Sequence, residues 1–424
     1  MPARLTSVRG ADENRAVPAA NPHERPRVVF FAEIPTPYIL PTLEELSRRV
    51  DLTALFGASE GSRGMEWDLA PPAFRHKVVG GLVLHRRHRR GTDVYVDPRI
   101  LVAMARARPH VIVTPAFSLP TAFAAFHGAL TGSRLLIYSD GTRLTERDIG
   151  AAQLRARRVL IPRASGCVGL SAESARRFED LGCEPSRLFV APHATALEPL
   201  WAVAASRHAG RSHALRVLFV GRLLPRKGAD CIVRAIALAR RTEPGITLDV
   251  VGTGPEESRL RELASSVAPG AVRFLGFVDQ PGLPELYRAA DVFAFPSRRD
   301  QFGIVALEAA ASGLPLVASP HAGATTDLVV DGSTGYVVEP TDTASMAERL
   351  VRLARDPQAR VRMGAAARAR TMGHTPAVAA GRWAEAVDFA RSEAGKRGTR
   401  ITLRRRAQRA LDAPGAAGRQ LPHG

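Results

Sequence analysis

Cysteine is scarce in this chain of 424 residues. The three present, Cys167, Cys183 and Cys231, are scattered without the spacing of a disulfide framework or a zinc site, which suits a reducing compartment. An apolar leader is also missing, because Asp12 and Glu13 sit among the early residues and no hydrophobic core segment follows them; a secretory signal peptide is not expected. The longest uncharged stretch, residues 109–133, is interrupted by Pro115, Pro120, His127 and Gly128. It reads as a strand at 111–114 and a helix at 119–130 rather than a bilayer span. There is no zinc-finger spacing and no basic strand studded with aromatics, so nucleic acid is not expected as a partner. Acidic charge is in deficit, with 41 Asp and Glu against 59 Lys and Arg, a formal net charge of +18. That excess points to polyanions, either phosphorylated substrates or an anionic membrane face, or else to compositional drift toward Arg.

What is present is a soluble, globular composition, 45% hydrophobic and 24% charged, long enough for two or three domains with real cores. Residues 1–26 hold proline and charge with little apolar periodicity and read as a flexible arm. From Arg27, short apolar runs alternate with helical patterns: V-V-F-F-A-E, a helix at 42–50, strands at 51–56, 111–114 and 135–138, and helices at 98–107 and 119–130. Such alternation predicts an α/β fold with parallel sheets covered on both faces. The first unit spans 27–196, a patternless linker 197–213, and a second α/β unit 214–375. The Ala-rich segment 376–391, with Trp383 and Phe389, reads as a helix crossing back onto the first unit, and 392–424 as a basic tail. That tail and the run H-R-R-H-R-R at 85–90 are the places where an anionic membrane could be met; a solvated charged end is the plainer reading.

The most informative stretch is 295–319, F-P-S-R-R-D-Q-F-G-I-V-A-L-E-A-A-A-S-G-L-P-L-V-A-S. A buried strand at 292–295 leads into a loop, a helix at 304–311 that stops at Gly313, and a further strand at 314–318. Gly303 stands at the loop-to-helix junction, where free N–H groups and the helix dipole favour an anion. Glu308 lies too far into the helix to cap it, and an acid in an apolar helix needs a partner such as a sugar hydroxyl. Asp300 is eight positions earlier, in the loop, so the two carboxylates would flank a bound group from two sides.

On these residues the chain resembles the retaining GT-B glycosyltransferases of family 4, the group 1 glycosyl transferases. Asp300 stands in place of the first Glu of their Glu-x7-Glu segment and Glu308 is the second. The resemblance implies two doubly wound Rossmann-like domains facing across a cleft, with 27–196 on the acceptor side and 214–375 on the donor side. It implies transfer of a hexose from a nucleotide diphosphate sugar, UDP- or GDP-linked, to a saccharide, lipid-linked or small-molecule acceptor. Asp300 would contact the donor sugar, Glu308 the ribose, and the backbone of Phe302, Gly303, Ile304 and Val305 the phosphates. Past the strand R-V-L-F-V, Gly221, Arg222 and Lys227 match the positions that hold the pyrophosphate, and two cations there suit a leaving group whose charge grows as the bond breaks. Asp300, Arg222 and Lys227 are therefore the catalytic candidates.

The turn G-T-G at 252–254 fails the dinucleotide fingerprint because position 257 is Glu; the resemblance puts Gly252 beside the nucleotide, with Val278 at a strand exit near the base. No Asp-x-Asp triplet occurs, which disfavours a metal-dependent GT-A mechanism, and no cofactor is expected. On the acceptor side the candidates are Thr36 and Tyr38 in the loop I-P-T-P-Y, and Asp140 and Arg143 after the strand ending at Tyr138-Ser139. Both loops also read as ordinary proline-stiffened or Asp-Gly turns. His193, where relatives carry Asn, reads as a hinge packing residue. The competing functions are an epimerase or hydrolase on the same architecture and a non-catalytic nucleotide-sugar-binding protein. A cytoplasmic place is expected, with peripheral contact at the inner membrane face as an extension; oligomeric state is open.

Overall fold

The computed structural model describes residues 25–58, 70–79, 82–85, 93–96, 99–115, 118–205 and 215–392. Two parallel sheets dominate it. The first contains β1 (Arg27–Ala32), β2 (Asp51–Phe56), β3 (Arg75–Val78), β6 (Val111–Pro115), β7 (Arg134–Ser139), β8 (Gly166–Gly169) and β9 (Leu188–Val190), in the order β3-β2-β1-β6-β7-β8-β9. Between β3 and β6, β4 (Leu82–His85) and β5 (Asp93–Val96) pair as a separate antiparallel ribbon. The second sheet contains β10 (Arg216–Val220), β11 (Thr247–Val251), β12 (Val272–Gly276), β13 (Val292–Phe295), β14 (Leu316–Ala318) and β15 (Gly335–Val337), in the order β12-β11-β10-β13-β14-β15. In each sheet the first strand sits centrally and the order reverses on either side of it. The crevices at the carboxyl ends of β1/β6 and β10/β13 are therefore the natural ligand positions.

The central strands are buried because both their faces are covered, and their sequences are correspondingly continuous apolar runs: β1 is buried from Val28 to Ala32 and β13 throughout. In the second domain Val217, Phe219, Ile232, Val250 and Val292 form one core layer, and Leu218, Val220, Phe293, Leu307 and Leu316 the other. The helix Pro376–Arg391, capped by Thr375 accepting from Val378 N–H at 3.3 Å, packs Ala380, Trp383 and Val387 into the first domain. Trp383 meets Phe30 and Tyr138 edge-on, at 5.1 and 5.5 Å between ring centroids.

Some sequence expectations need correcting. The stretch 197–213 is not patternless throughout: Glu198–Ala205 is a helix, Leu200 is buried against the second core, and Trp201 Nε1 donates to Thr371 Oγ1 at 3.0 Å. At the edge of the second sheet β15 runs parallel to β14. β12 ends at Gly276, so Val278 lies two residues past the strand, in its exit. Among the described residues no helix is long and apolar enough to cross a membrane. The arm 1–24, the basic run 86–90 and the tail 393–424 fall outside the described residues.

Candidate active site in the cleft

The site grows from the two strands that flank the second reversal. β10 ends at Val220 and the chain passes Gly221 and Arg222 into a tight turn, Pro225–Lys227, that delivers Lys227. β13 ends at Phe295, and its exit loop carries Arg298, Arg299, Asp300 and Gln301. Adjacent pairing of β10 and β13 brings these two loops side by side. Arg298 clamps them together, donating to both oxygens of Asp230 at 2.8 and 2.7 Å and to the carbonyl of Pro225 at 2.7 Å. Within that frame Lys227 Nζ is ion-paired to Asp300 Oδ2, the Asp300 side being mostly buried. Asp300 N–H donates to His321 O at 3.0 Å, which fixes the carboxylate from behind. The two residues singled out for opposite ends of the donor therefore touch. Arg222 is half-buried and forms no ion pair among the described residues, which leaves its guanidinium available to a ligand.

Gly303 N-caps the helix Ile304–Ala311 with φ +103°, a left-handed conformation that disfavours a side chain. The reason is packing as well as conformation: a Cβ there would lie 2.1 Å from Phe295 Cζ. Gly252 is similar, with φ +124° and the Gly221 carbonyl 2.1 Å from where its Cβ would stand, so it lets the β10 and β11 exits close on each other. Ile304 and Val305 form the first turn and are half-buried, their backbone N–H groups unclaimed by a side-chain cap. Phe302 is buried and Val278 packs at the edge of the same core.

Glu308 is buried, and its expected partner is a protein group: Tyr287 Oη donates to Glu308 Oε2 at 2.8 Å. Burial pushes the Glu308 carboxyl up to about 7, against the lowering effect of that hydrogen bond. Tyr287 gave no local signal in the sequence; only the general requirement that a buried acid be paired pointed toward a hydroxyl. Tyr38, from the β1 exit of the first domain, is held well above its ordinary value by burial and then by the Glu308 charge. The phenol is thus within electrostatic reach of the second domain's carboxyl.

On the first-domain side the predicted residues divide. Asp140 lies at the β7 exit and accepts from Gln301 Nε2 at 3.0 Å, a bond across the cleft. Its carboxyl is enclosed by protein although part of the residue meets solvent. Burial, opposed by a backbone hydrogen bond and reinforced by the charges of Glu33, Glu146 and Asp300, pushes it up to about 6. Arg143 does not join it: the guanidinium turns outward to Asp180, donating at 2.5 and 2.6 Å, so its candidacy is corrected to a surface pair. Thr36 Oγ1 accepts from Ile39 N–H at 3.2 Å and closes the turn before the helix Leu40–Ser47. Arg299 was not anticipated, yet it crosses the cleft to Asp148 Oδ2 at 3.2 Å and Thr145 O at 3.0 Å. Asp327 Oδ1 likewise accepts from Ala172 N–H at 3.3 Å.

Residues 207–370 match the family described as glycosyl transferases group 1. The chain is 34% identical over 268 residues to a D-inositol 3-phosphate glycosyltransferase of Nocardia farcinica, covering 60% of this chain and 58% of that protein. It is 40% identical over 155 residues to a GDP-mannose-dependent monoacylated alpha-(1-6)-phosphatidylinositol monomannoside mannosyltransferase of Corynebacterium glutamicum, covering 35% and 40%. The matches thus span about 40–58% of the length of these curated relatives. Among solved structures, HepE of Anabaena in complex with UDP superposes with a TM-score of 0.69 at 19% identity, over 85% of this chain and 99% of that one. Sucrose-phosphate synthase from Thermosynechococcus elongatus gives a TM-score of 0.61 at 19% identity, over 91% and 100%. The fold is therefore GT-B, two Rossmann-like domains about a cleft, and its second domain is similar to the glycosyl transferases group 1.

Proposed function

We propose that this protein is a retaining glycosyltransferase of family 4 that moves a hexose from a nucleotide diphosphate sugar to a hydroxyl of a saccharide, lipid-linked or small-molecule acceptor. The observation that carries this is the Lys227–Asp300 ion pair beside Gly303 at the second reversal, opposite Asp140. Lys227, Arg222 and the N–H groups after Gly303 present positive potential where the leaving diphosphate gathers charge, which stabilises the transition state more than the ground state. These cations take the part a metal ion would otherwise play. Asp300 holds hydroxyls of the transferred sugar, and Glu308 with Tyr287 holds the ribose. The glycosidic C–O bond breaks toward the diphosphate, the acceptor oxygen bonds the anomeric carbon from the same face, and the acceptor proton passes to the departing phosphate oxygen. Asp140 orients the acceptor hydroxyl. A relative described as UDP-bound and others described as GDP-mannose-dependent support the donor class and leave both bases in the test.

The experiment is release of free UDP or GDP from UDP-glucose and GDP-mannose with and without an inositol phosphate or lipid acceptor. Release that needs the acceptor is expected; release without it would mark a hydrolase, and binding without release a non-catalytic protein. The basic excess is proposed to hold the enzyme peripherally at the cytoplasmic face of an anionic membrane, each Lys or Arg contributing about 1 kcal/mol. Salt-sensitive binding to phosphatidylserine vesicles tests this, and its absence at low salt would leave the charge as solvated surface.

A further inference from the structure

One buried polar atom near the cleft has no partner. His193 lies three residues past β9, where the first domain gives way to the second. Its backbone is pinned on both sides: the N–H donates to Leu170 O at 2.9 Å, and the carbonyl accepts from His374 Nδ1 at 2.9 Å. A carbonyl only accepts, so His374 carries its proton on Nδ1. The His193 ring lies on Phe302, with centroids 4.5 Å apart and planes 31° apart. Phe302 immediately precedes Gly303 and the helix start. Yet His193 Nε2 is shut off from solvent and has no hydrogen bond to any described residue. A histidine held only for packing normally satisfies its buried nitrogen, since leaving it unpaired is unfavourable.

The surroundings narrow the missing group. The His193 ring is neutral near pH 7, because burial and then the neighbouring His374 lower it to about 4 against the opposing influence of the Asp300 charge. A neutral imidazole in the field of a carboxylate is poorly suited to a phosphate. It is well suited to a hydroxyl, which can donate to Asp300 while accepting from Nε2–H, or donate to Nε2 where the proton is on Nδ1. The phosphates already have Lys227, Arg222 and the helix start. We propose that His193 Nε2 binds a hydroxyl of the donor's sugar unit beside Asp300, so that His193 selects the sugar and not the nucleotide. The inference rests on the nucleotide-sugar reading above.

Two variants of the full chain separate recognition from packing. His193→Phe keeps a flat ring on Phe302 and deletes both nitrogens; His193→Gln brings an amide toward the position of Nε2 without the ring. Calorimetric titration with UDP-glucose, GDP-mannose, UDP and GDP reads the outcome. For the sugar nucleotide that binds, His193→Phe should weaken affinity about tenfold or more, because a site built for a hydroxyl is left without its polar group. The matching bare diphosphate should change by about twofold or less, since its contacts lie elsewhere. His193→Gln should recover part of the loss, and the melting temperature of His193→Phe should equal or exceed that of the parent because an unpaired polar atom has gone. Equal weakening of sugar nucleotide and bare diphosphate, or no weakening of either, overturns the role of His193 while leaving the nucleotide-sugar reading intact. An unaltered chain that binds none of the four would overturn both.

Discussion

The two domains offer the cleft equivalent crevices but line them with different chemistry. At the second-domain reversal the groups gathered are backbone and fixed charge: Gly303 at a helix start, Gly252 packed on Gly221, and Lys227 paired to Asp300 in loops clamped by Arg298. At the first-domain reversal they are side chains on turns: Tyr38 after β1 and Asp140 after β7, with Gln301 and Arg299 reaching over from the other domain. The first arrangement is preorganised, as the proposed donor side would require. The second is easily altered without disturbing the fold, as suits the half proposed to meet a variable acceptor.

That contrast breaks most visibly at Lys227. Lys227→Met should lower kcat by about 10²–10³ and also the melting temperature, because Asp300 would be left buried without its cation. Adding Asp300→Asn should restore the melting temperature but not turnover. A single variant with KM raised and kcat intact would show that the pair serves only ground-state binding.

Glu308 sharpens the comparison through pH. Its carboxyl is raised from the usual 4.5 to about 7, so the folded protein binds more protons than the unfolded chain between those values, and stability falls as pH rises through that window. At roughly 1.4 kcal/mol per pH unit the fall amounts to about 3 kcal/mol. Asp140 and Asp327, each raised to about 6, add to the slope only below that pH. Glu308→Gln should therefore flatten the stability profile between about pH 6 and 7 while a slope persists at lower pH, as chemical denaturation would record. An unchanged slope above pH 6 would mean that Glu308 ionises normally.

The smallest effects belong to the first domain. Asp140→Asn keeps an oxygen for Gln301 but removes the charge, and should raise the acceptor KM about tenfold with donor affinity unchanged. Arg143→Ala is its control: the guanidinium is turned away to Asp180, and turnover should not change. Loss of donor affinity in Asp140→Asn would place the residue on the other side of the reaction.

Several of these features were legible in the chain before any coordinates. The strand Val292–Phe295, the helix Ile304–Ala311 and the helix Pro376–Arg391 stand where the apolar runs, Gly303, Gly313 and the Ala-rich segment with Trp383 and Phe389 put them. Local periodicity and capping chemistry decide such elements, and both are written in consecutive residues. Glu198–Ala205 was missed because an apolar stretch with a single acid has no polar face to betray a helical period. Arg143 was misplaced for a related reason: position after a strand fixes where the backbone emerges, not which neighbour a long side chain takes.

The sequence alone determined the parallel α/β class, the strand-loop-helix at 295–319 and the need of Glu308 for a buried partner, because each follows from residues near one another in the chain. Tertiary structure decided that the partner is Tyr287, that Lys227 meets Asp300 across 73 positions, that Asp140 faces Gln301 across 161, and that His193 Nε2 is left unpaired. Those outcomes depend on strand order and on the approach of two domains, which bring together residues whose separation along the chain carries no information about their distance in space.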